Sequence, residues 1–185
     1  MRFGRSALRA YVTFHLCLTY LFGLDPLPAM AATSLEQLPG DWRDDSGREF
    51  HFGNLRGHLL VLTMAYASCH RVCPLTMQRL QKLQSDFDSS GTSAQFVIVG
   101  YDPEADDPAA WRQYRRTRHL TRDNWHFLVG SRAAVEQTAR RLGFQFWRYD
   151  QHVMHDSRIV YFNEHGDLVE PGAAGLSQQS VPVSQ

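Results

Sequence analysis

Lysine is nearly missing from this chain: of 19 basic residues only Lys82 is a lysine, and 19 acidic residues balance them to a formal net charge of zero. Such a chain lacks the basic footprint of a dedicated nucleic-acid binder. Three cysteines are too few to staple a disulfide scaffold, so any cysteine chemistry must be local. No apolar run reaches the ~20 residues needed to span a bilayer. A Gly-rich phosphate loop, a paired-carboxylate motif and a nucleophilic-serine signature are all missing, as are internal repeats and low-complexity tracts. What is present is an ordinary globular composition, 43% hydrophobic and 21% charged, in 185 residues. That length suits one domain with a sizeable core.

The first 31 residues read as a secretory signal peptide. Arg2, Arg5 and Arg9 precede the apolar run from Ala10 to Leu24, and Ala29-Met30-Ala31 is a small-residue cleavage signature. An uncleaved membrane anchor is the competing reading. Cys17 lies inside the apolar run and is removed with it. Cleavage after Ala31 leaves Cys69 and Cys73 in an oxidising compartment, the periplasm, where a close pair is a disulfide, a redox centre or a metal site.

Residues 32–46 are polar and read as an irregular leading segment. Residues 47–170 then follow an α/β order. A short strand at Arg48–Phe52 is followed by the continuous apolar run Leu59–Tyr66, as expected of a strand covered on both faces. Pro74 opens a helix with Leu80, Leu83 and Phe87 on one stripe. Gln95–Tyr101 is a second buried strand, Pro108 starts a second helix, Trp125–Val129 is a third strand, and Ser131–Leu142 is a helix stopped by Gly143. Arg158–Asn163 and Asp167–Glu170 form a hairpin, and residues 171–185 read as a disordered tail. This order predicts a central mixed sheet with helices on its faces, and ligands in such sheets collect beyond the C-terminal strand ends.

The loop Ala67-Ser68-Cys69-His70-Arg71-Val72-Cys73 occupies that place. With Pro74 at the first helical position, Cys73 is the expected N-cap, facing unpaired N–H groups that favour thiolate, and Arg71 lowers both thiol pKa values further. The bland alternative is a structural disulfide. Two thiolates do not complete a tetrahedral zinc site, but they suit a soft, low-coordinate ion, with Cu(I) foremost and Cu(II) as a second state. A third ligand should be a histidine from His152-Val153-Met154-His155-Asp156, and spacing alone does not choose between His152 and His155. Met154 is a candidate fourth ligand, with core packing as its simpler role.

Five features together carry a resemblance: C-x3-C-P after an apolar strand, a strand ending in Asp102-Pro103-Glu104, Trp125–Gly130, His155 before an apolar strand, and Asn163-Glu164-His165-Gly166. Over roughly residues 45 to 170 the chain resembles the Sco/SenC family. The resemblance implies a thioredoxin-like fold, an exported or membrane-tethered protein, and a copper site of two cysteines and one histidine, matched here by Cys69, Cys73 and His155. It also implies a partner, the subunit holding the dinuclear copper centre of cytochrome c oxidase, or another copper protein. Membrane contact is expected only if the N-terminal segment stays uncleaved.

Three departures stand out. The family's usual Cys-Pro-Asp-x-Cys-Pro is Cys69-His70-Arg71-Val72-Cys73-Pro74 here, which makes His70 a rival ligand. The family's C-terminal helix is not evident in residues 171–185, and a cleavable signal stands where an anchor is usual. The leading expectation is a metallochaperone acting by ligand exchange rather than catalysis, its cysteines forming a disulfide when oxidised. A metal-free thiol–disulfide oxidoreductase is the alternative, and a copper sensor a third. No proline occurs between Pro108 and Pro171, so the proline that lies beside a thioredoxin active site has no counterpart.

Two charged tracts complete the reading. Arg112, Arg115, Arg116, Arg118 and Arg122 with His119 form a basic stretch, read as a solvated helix face or as a docking patch. Asp102 to Asp107 form an acidic strand-to-helix loop, read as turn and capping chemistry ahead of Pro108 or, alternatively, as placing Asp102 beside the cysteine loop. Trp111, Trp125 and Trp147 are expected in or near the core.

Overall fold

The computed structural model describes residues 33–68, 72–149 and 152–174, with the backbone alone at 72–74, 152, 153 and 173. The signal-peptide reading, the 69–71 segment and the tail beyond residue 174 lie outside the described residues. In chain order the elements are β1 (Trp42–Asp44), β2 (Glu49–Phe50), β3 (Leu59–Ala65), α1 (Val72–Ser90), β4 (Ala94–Gly100), α2 (Pro108–Thr117), β5 (Trp125–Gly130), α3 (Arg132–Leu142), β6 (Phe146–Tyr149), β7 (His152–His155), β8 (Ile159–Phe162) and β9 (Leu168–Val169). Short 3-10 turns occupy Leu35–Gln37, Phe52–Leu55 and Pro171–Ala174.

The predicted α/β architecture is present. Seven strands form one mixed sheet in the order β2-β1-β5-β4-β3-β8-β9, with β3, β4 and β5 parallel and β1 and β8 antiparallel to their neighbours. Strand alternation divides β3 between two cores. Leu60, Leu62 and Met64 join Val97, Val99 and the α3 residues Val135, Ala139 and Leu142 on one face. Leu59, Val61 and Ala65 join Leu80, Leu83 and Phe87 of α1 and Trp111 and Tyr114 of α2 on the other. All seven residues of β3 are buried, which explains its unbroken apolar run. The helix ends follow local chemistry. Asp107 caps α2 through Ala110 N–H at 2.6 Å, Ser131 caps α3 through Ala134 N–H at 3.2 Å, and Gly143 closes α3 in the left-handed region.

Four expectations need correction. The leading segment is not irregular: β1 pairs with both β2 and β5, and Leu35 and Trp42 are buried. Three residues of buried–exposed–buried pattern are too few to show a period, so only the pairing partners reveal this strand. Trp147 is exposed rather than in the core, unlike Trp111 and Trp125. Helix α1 begins at Val72, so Cys73 is inside the first turn rather than at the N-cap, and Pro74 is tolerated there because first-turn N–H groups need no intrahelical acceptor.

The fourth concerns the basic stretch, which is not merely a solvated helix face. Arg115 pairs with Asp45 at 3.0 Å and donates to the carbonyls of Leu120 and Arg122. Arg112 donates to the Asp45 carbonyl at 2.6 Å, Arg118 lies over the Tyr114 ring at 4.0 Å, and Arg122 pairs with Asp88. These arginines fasten α2 to its surroundings.

One glycine is fixed by close approach. A Cβ on Gly130 would lie 2.5 Å and 2.6 Å from two atoms of the Trp42 ring, which is buried across the β1–β5 pairing. Gly130→Ala should therefore lower stability by about 2–3 kcal/mol through overpacking. A fall in the urea midpoint at unchanged m-value would register it. A midpoint within error of wild type would show that Trp42 yields freely.

Candidate metal centre

Beyond the C-terminal end of β3 the chain continues through Tyr66, Ala67 and Ser68 to residues 69–71, and re-enters described structure at Val72. Cys69 and His70 lie outside the described residues. Cys73 is the second residue of α1, described by its backbone alone. The cysteine loop therefore joins the end of a buried parallel strand to the start of a helix, the position at which α/β sheets bind ligands.

His155 reaches the same end of the sheet by a different route. It closes β7, paired with Phe146 of β6, and the β6–β7 ribbon stands apart from the main sheet. Its half-buried ring packs at 4.8 Å from the Tyr101 ring and edge-on to Tyr66 at 5.5 Å. Tyr66 is three residues ahead of Cys69, and Tyr101 follows β4. Nδ1 of His155 contacts the carbonyl of Asp156, and a carbonyl only accepts, so Nδ1 carries the proton. Nε2 is then the nitrogen with a lone pair for a metal, the arrangement in which an outer hydrogen bond sets the tautomer of a ligating imidazole. β7 is extended, so residues 152 and 155 take opposite faces of the ribbon.

Two other predicted site residues have described side chains. Met154 does not pack in the core and does not share a face with His155: it is 45% exposed on the other side of the ribbon. The Asp102 carboxylate accepts from Arg148 of β6 at 2.6 Å.

Asp106, which the sequence reading treated only as turn chemistry, reaches the start of the cysteine loop at Ala67. It is 2% exposed, and one carboxylate oxygen accepts from Ala67 N–H at 2.7 Å while the other accepts from Asp102 N–H at 2.9 Å. Gly100 makes room for it, since a Cβ there would lie 3.0 Å from the Asp106 side chain. Burial pushes its pKa up to about 7; the two backbone N–H groups pull the other way, and the charges of Asp102 and Asp107 add to the rise. The β4–α2 turn thus holds the start of the cysteine loop through Asp106 and the ribbon through Asp102. Asp106 and Asp102 stand four apart in Asp102-Pro103-Glu104-Ala105-Asp106, and nothing local marks which of the two is buried.

Among the described residues no three His, Cys, Asp or Glu side chains form a metal cluster, and no helix is long and apolar enough to cross a membrane. The donor set read from the sequence, two thiolates and one imidazole, fits a soft low-coordinate ion.

Residues 33–180 match the family model described as SCO1/SenC. A SCO1 protein homolog of Bacillus subtilis strain 168 is 24% identical over 102 residues, covering 55% of this chain and 53% of the relative. The chain thus spans about half the length of the curated relatives it matches. The structure of Arabidopsis thaliana ScoI with copper bound is similar at a TM-score of 0.64 and 21% identity, over 71% of this chain and 83% of that one. BsSco, described with a disulfide switch and as a member of the Sco family of cytochrome c oxidase assembly proteins, is similar at a TM-score of 0.65 and 20% identity, over 76% and 83% of the two chains. The fold is therefore the thioredoxin-like one that the family resemblance implied.

Proposed function

The chain belongs to the SCO1/SenC family, and from that premise we propose that it is an exported Cu(I) metallochaperone, with Cys69, Cys73 and His155 as its ligands. The observation that carries this reading is the meeting of His155 with Tyr66 and Tyr101 where β3 runs into the cysteine loop. Distant segments converge on one point, and the imidazole arrives with Nε2 as its donor nitrogen.

Two thiolates and an imidazole favour a soft, low-coordinate monovalent cation over zinc, which takes four ligands in a structural site. A three-coordinate Cu(I) leaves room for an incoming thiolate from a partner, so the metal moves by stepwise ligand exchange. The partner we propose is the copper-centre subunit of a respiratory oxidase, in keeping with the assembly role described for BsSco. Thiol–disulfide exchange with an oxidised partner disulfide, which takes up the two electrons and is itself reduced to two thiols, would convert the cysteine pair to a disulfide, withdrawing two donors and leaving any metal held by His155 alone. Redox state and metal occupancy are thus linked.

Protein purified under reducing, anaerobic conditions should retain one Cu(I) per chain against a chelator of moderate affinity. Zinc at that stoichiometry, or no metal, would overturn the assignment. Periplasmic protein should have lost about 31 residues, as in secretory cleavage, and an intact mass that still includes Met1 would point to a retained anchor.

A further inference from the structure

The register of the β6–β7 ribbon puts Arg148 on the same face as Phe146 and His155, since Phe146 lies opposite His155 and Arg148 is two residues further along β6. That face meets two consecutive residues just past β4. The rings of Phe146 and His155 pack on Tyr101 at 4.9 Å and 4.8 Å, and the Arg148 guanidinium donates to the Asp102 carboxylate at 2.6 Å. Glu104 of the same turn pairs with Arg132 of α3, so the turn is itself anchored. From Asp102 the bonds continue inward. Its N–H donates to Asp106 at 2.9 Å, and Asp106 accepts from Ala67 N–H at 2.7 Å, two residues ahead of Cys69. One turn, residues 102–106, thus grips both of the segments that carry the expected ligands.

We propose that Arg148 is a positioning residue for metal binding: its ion pair with Asp102 clasps the ribbon to the β4–α2 turn and holds His155 at the end of β3, where the cysteine loop begins. The inference rests on the reading that His155 is a ligand. It adds how a ligand on a two-stranded ribbon outside the main sheet is kept aligned with a loop that leaves the sheet. Ring packing tolerates a range of offsets and tilts, so a ribbon docked through Tyr101 alone can swing about that ring. A charged hydrogen bond has a preferred direction, and a second contact two residues further along β6 fixes the tilt. The Asp102 side chain is 13% exposed and that of Arg148 is 44% exposed, so the pair is open to solvent on the arginine side. Such a pair is strong enough to bias the ribbon and weak enough to open while the domain stays folded. Arg148 touches no metal in this scheme. It acts through His155.

The test uses the whole chain, reduced and anaerobic. In the metal-free protein Arg148→Gln should move the His155 ring proton resonances, which lie against the Tyr101 ring, toward those of an exposed histidine. Arg148→Lys keeps a charge for a contact made through one nitrogen, and should restore them in part. In competition against a Cu(I) chelator, Arg148→Gln should weaken binding about three- to fivefold, the scale of a solvent-open ion pair. In a His155→Ala background the same substitution should change nothing, because the two residues act as one unit. Unmoved His155 resonances, or an equal loss in both backgrounds, would overturn the proposal and make the pair a plain surface contact. A wild type that retains no Cu(I) would sink the ligand reading instead, and the resonances of the metal-free chain still decide whether the clasp holds His155.

Discussion

Cys69→Ser and Cys73→Ser should each abolish tight Cu(I) binding, and His155→Ala should weaken it by at least about tenfold, roughly 1.4 kcal/mol. A serine hydroxyl is a hard donor that stays protonated at neutral pH, so each replacement removes one of two soft anionic ligands while keeping the loop's size. The imidazole is the least anchored by charge but the best placed by the fold. The Tyr101 and Tyr66 rings and the Asp156 carbonyl hold it before any metal arrives, so its loss removes a preorganised donor. His70→Ala should do much less. His70 lies between the two cysteines in sequence, whereas His155 comes from a separate element of the fold. A competition titration against a Cu(I) chelator gives the order directly. If His70→Ala costs more than His155→Ala, this chain has rebuilt the site inside its own loop.

The second large effect is a pH-dependent stability that comes from Asp106. Its folded pKa, raised to about 7, stands well above the ordinary value of 3.8. The native state therefore holds a proton that the unfolded chain gives up between those limits. The sign follows from linkage: the contribution is fully present below about pH 4 and is lost as pH rises through about 7. At 1.36 kcal/mol per unit, the whole window amounts to something on the order of 4 kcal/mol. Urea midpoints taken between pH 4 and 8 should show that fall, and Asp106→Asn, which cannot ionise, should flatten it. A slope of the same size in Asp106→Asn would place its source elsewhere. Asp106→Ala is a harsher change. It strands the N–H groups of Ala67 and Asp102 in a buried site, at about 1–3 kcal/mol each, and loosens the segment leading to Cys69.

Local patterns account for much of this protein. The run LLVLTMA reads as a doubly covered strand because all of its side chains are apolar, and burial on both sheet faces is what such a run requires. Pro108 and Gly143 mark helix ends because each has its own backbone preference. The cysteine pair ahead of Pro74 announces soft-metal or redox chemistry, since donor type and spacing are properties of the chain itself. Other features have no local signature. β1 is a strand only because Trp42 finds Gly130 and Phe50 across its two edges.

Donor chemistry, the buried strands β3, β4 and β5 with the helices that follow them, and the likeness to the Sco/SenC family were thus determined by the sequence by itself, through periodicity, punctuation and motif. Tertiary structure alone decided that His155 turns inward to Tyr66 and Tyr101 while Met154 turns out, because a two-residue period chooses faces only once a register exists. It also decided that Asp106, rather than Asp102, is buried against the cysteine loop. That choice depends on the open space at Gly100 and on the Ala67 N–H, 39 residues away along the chain.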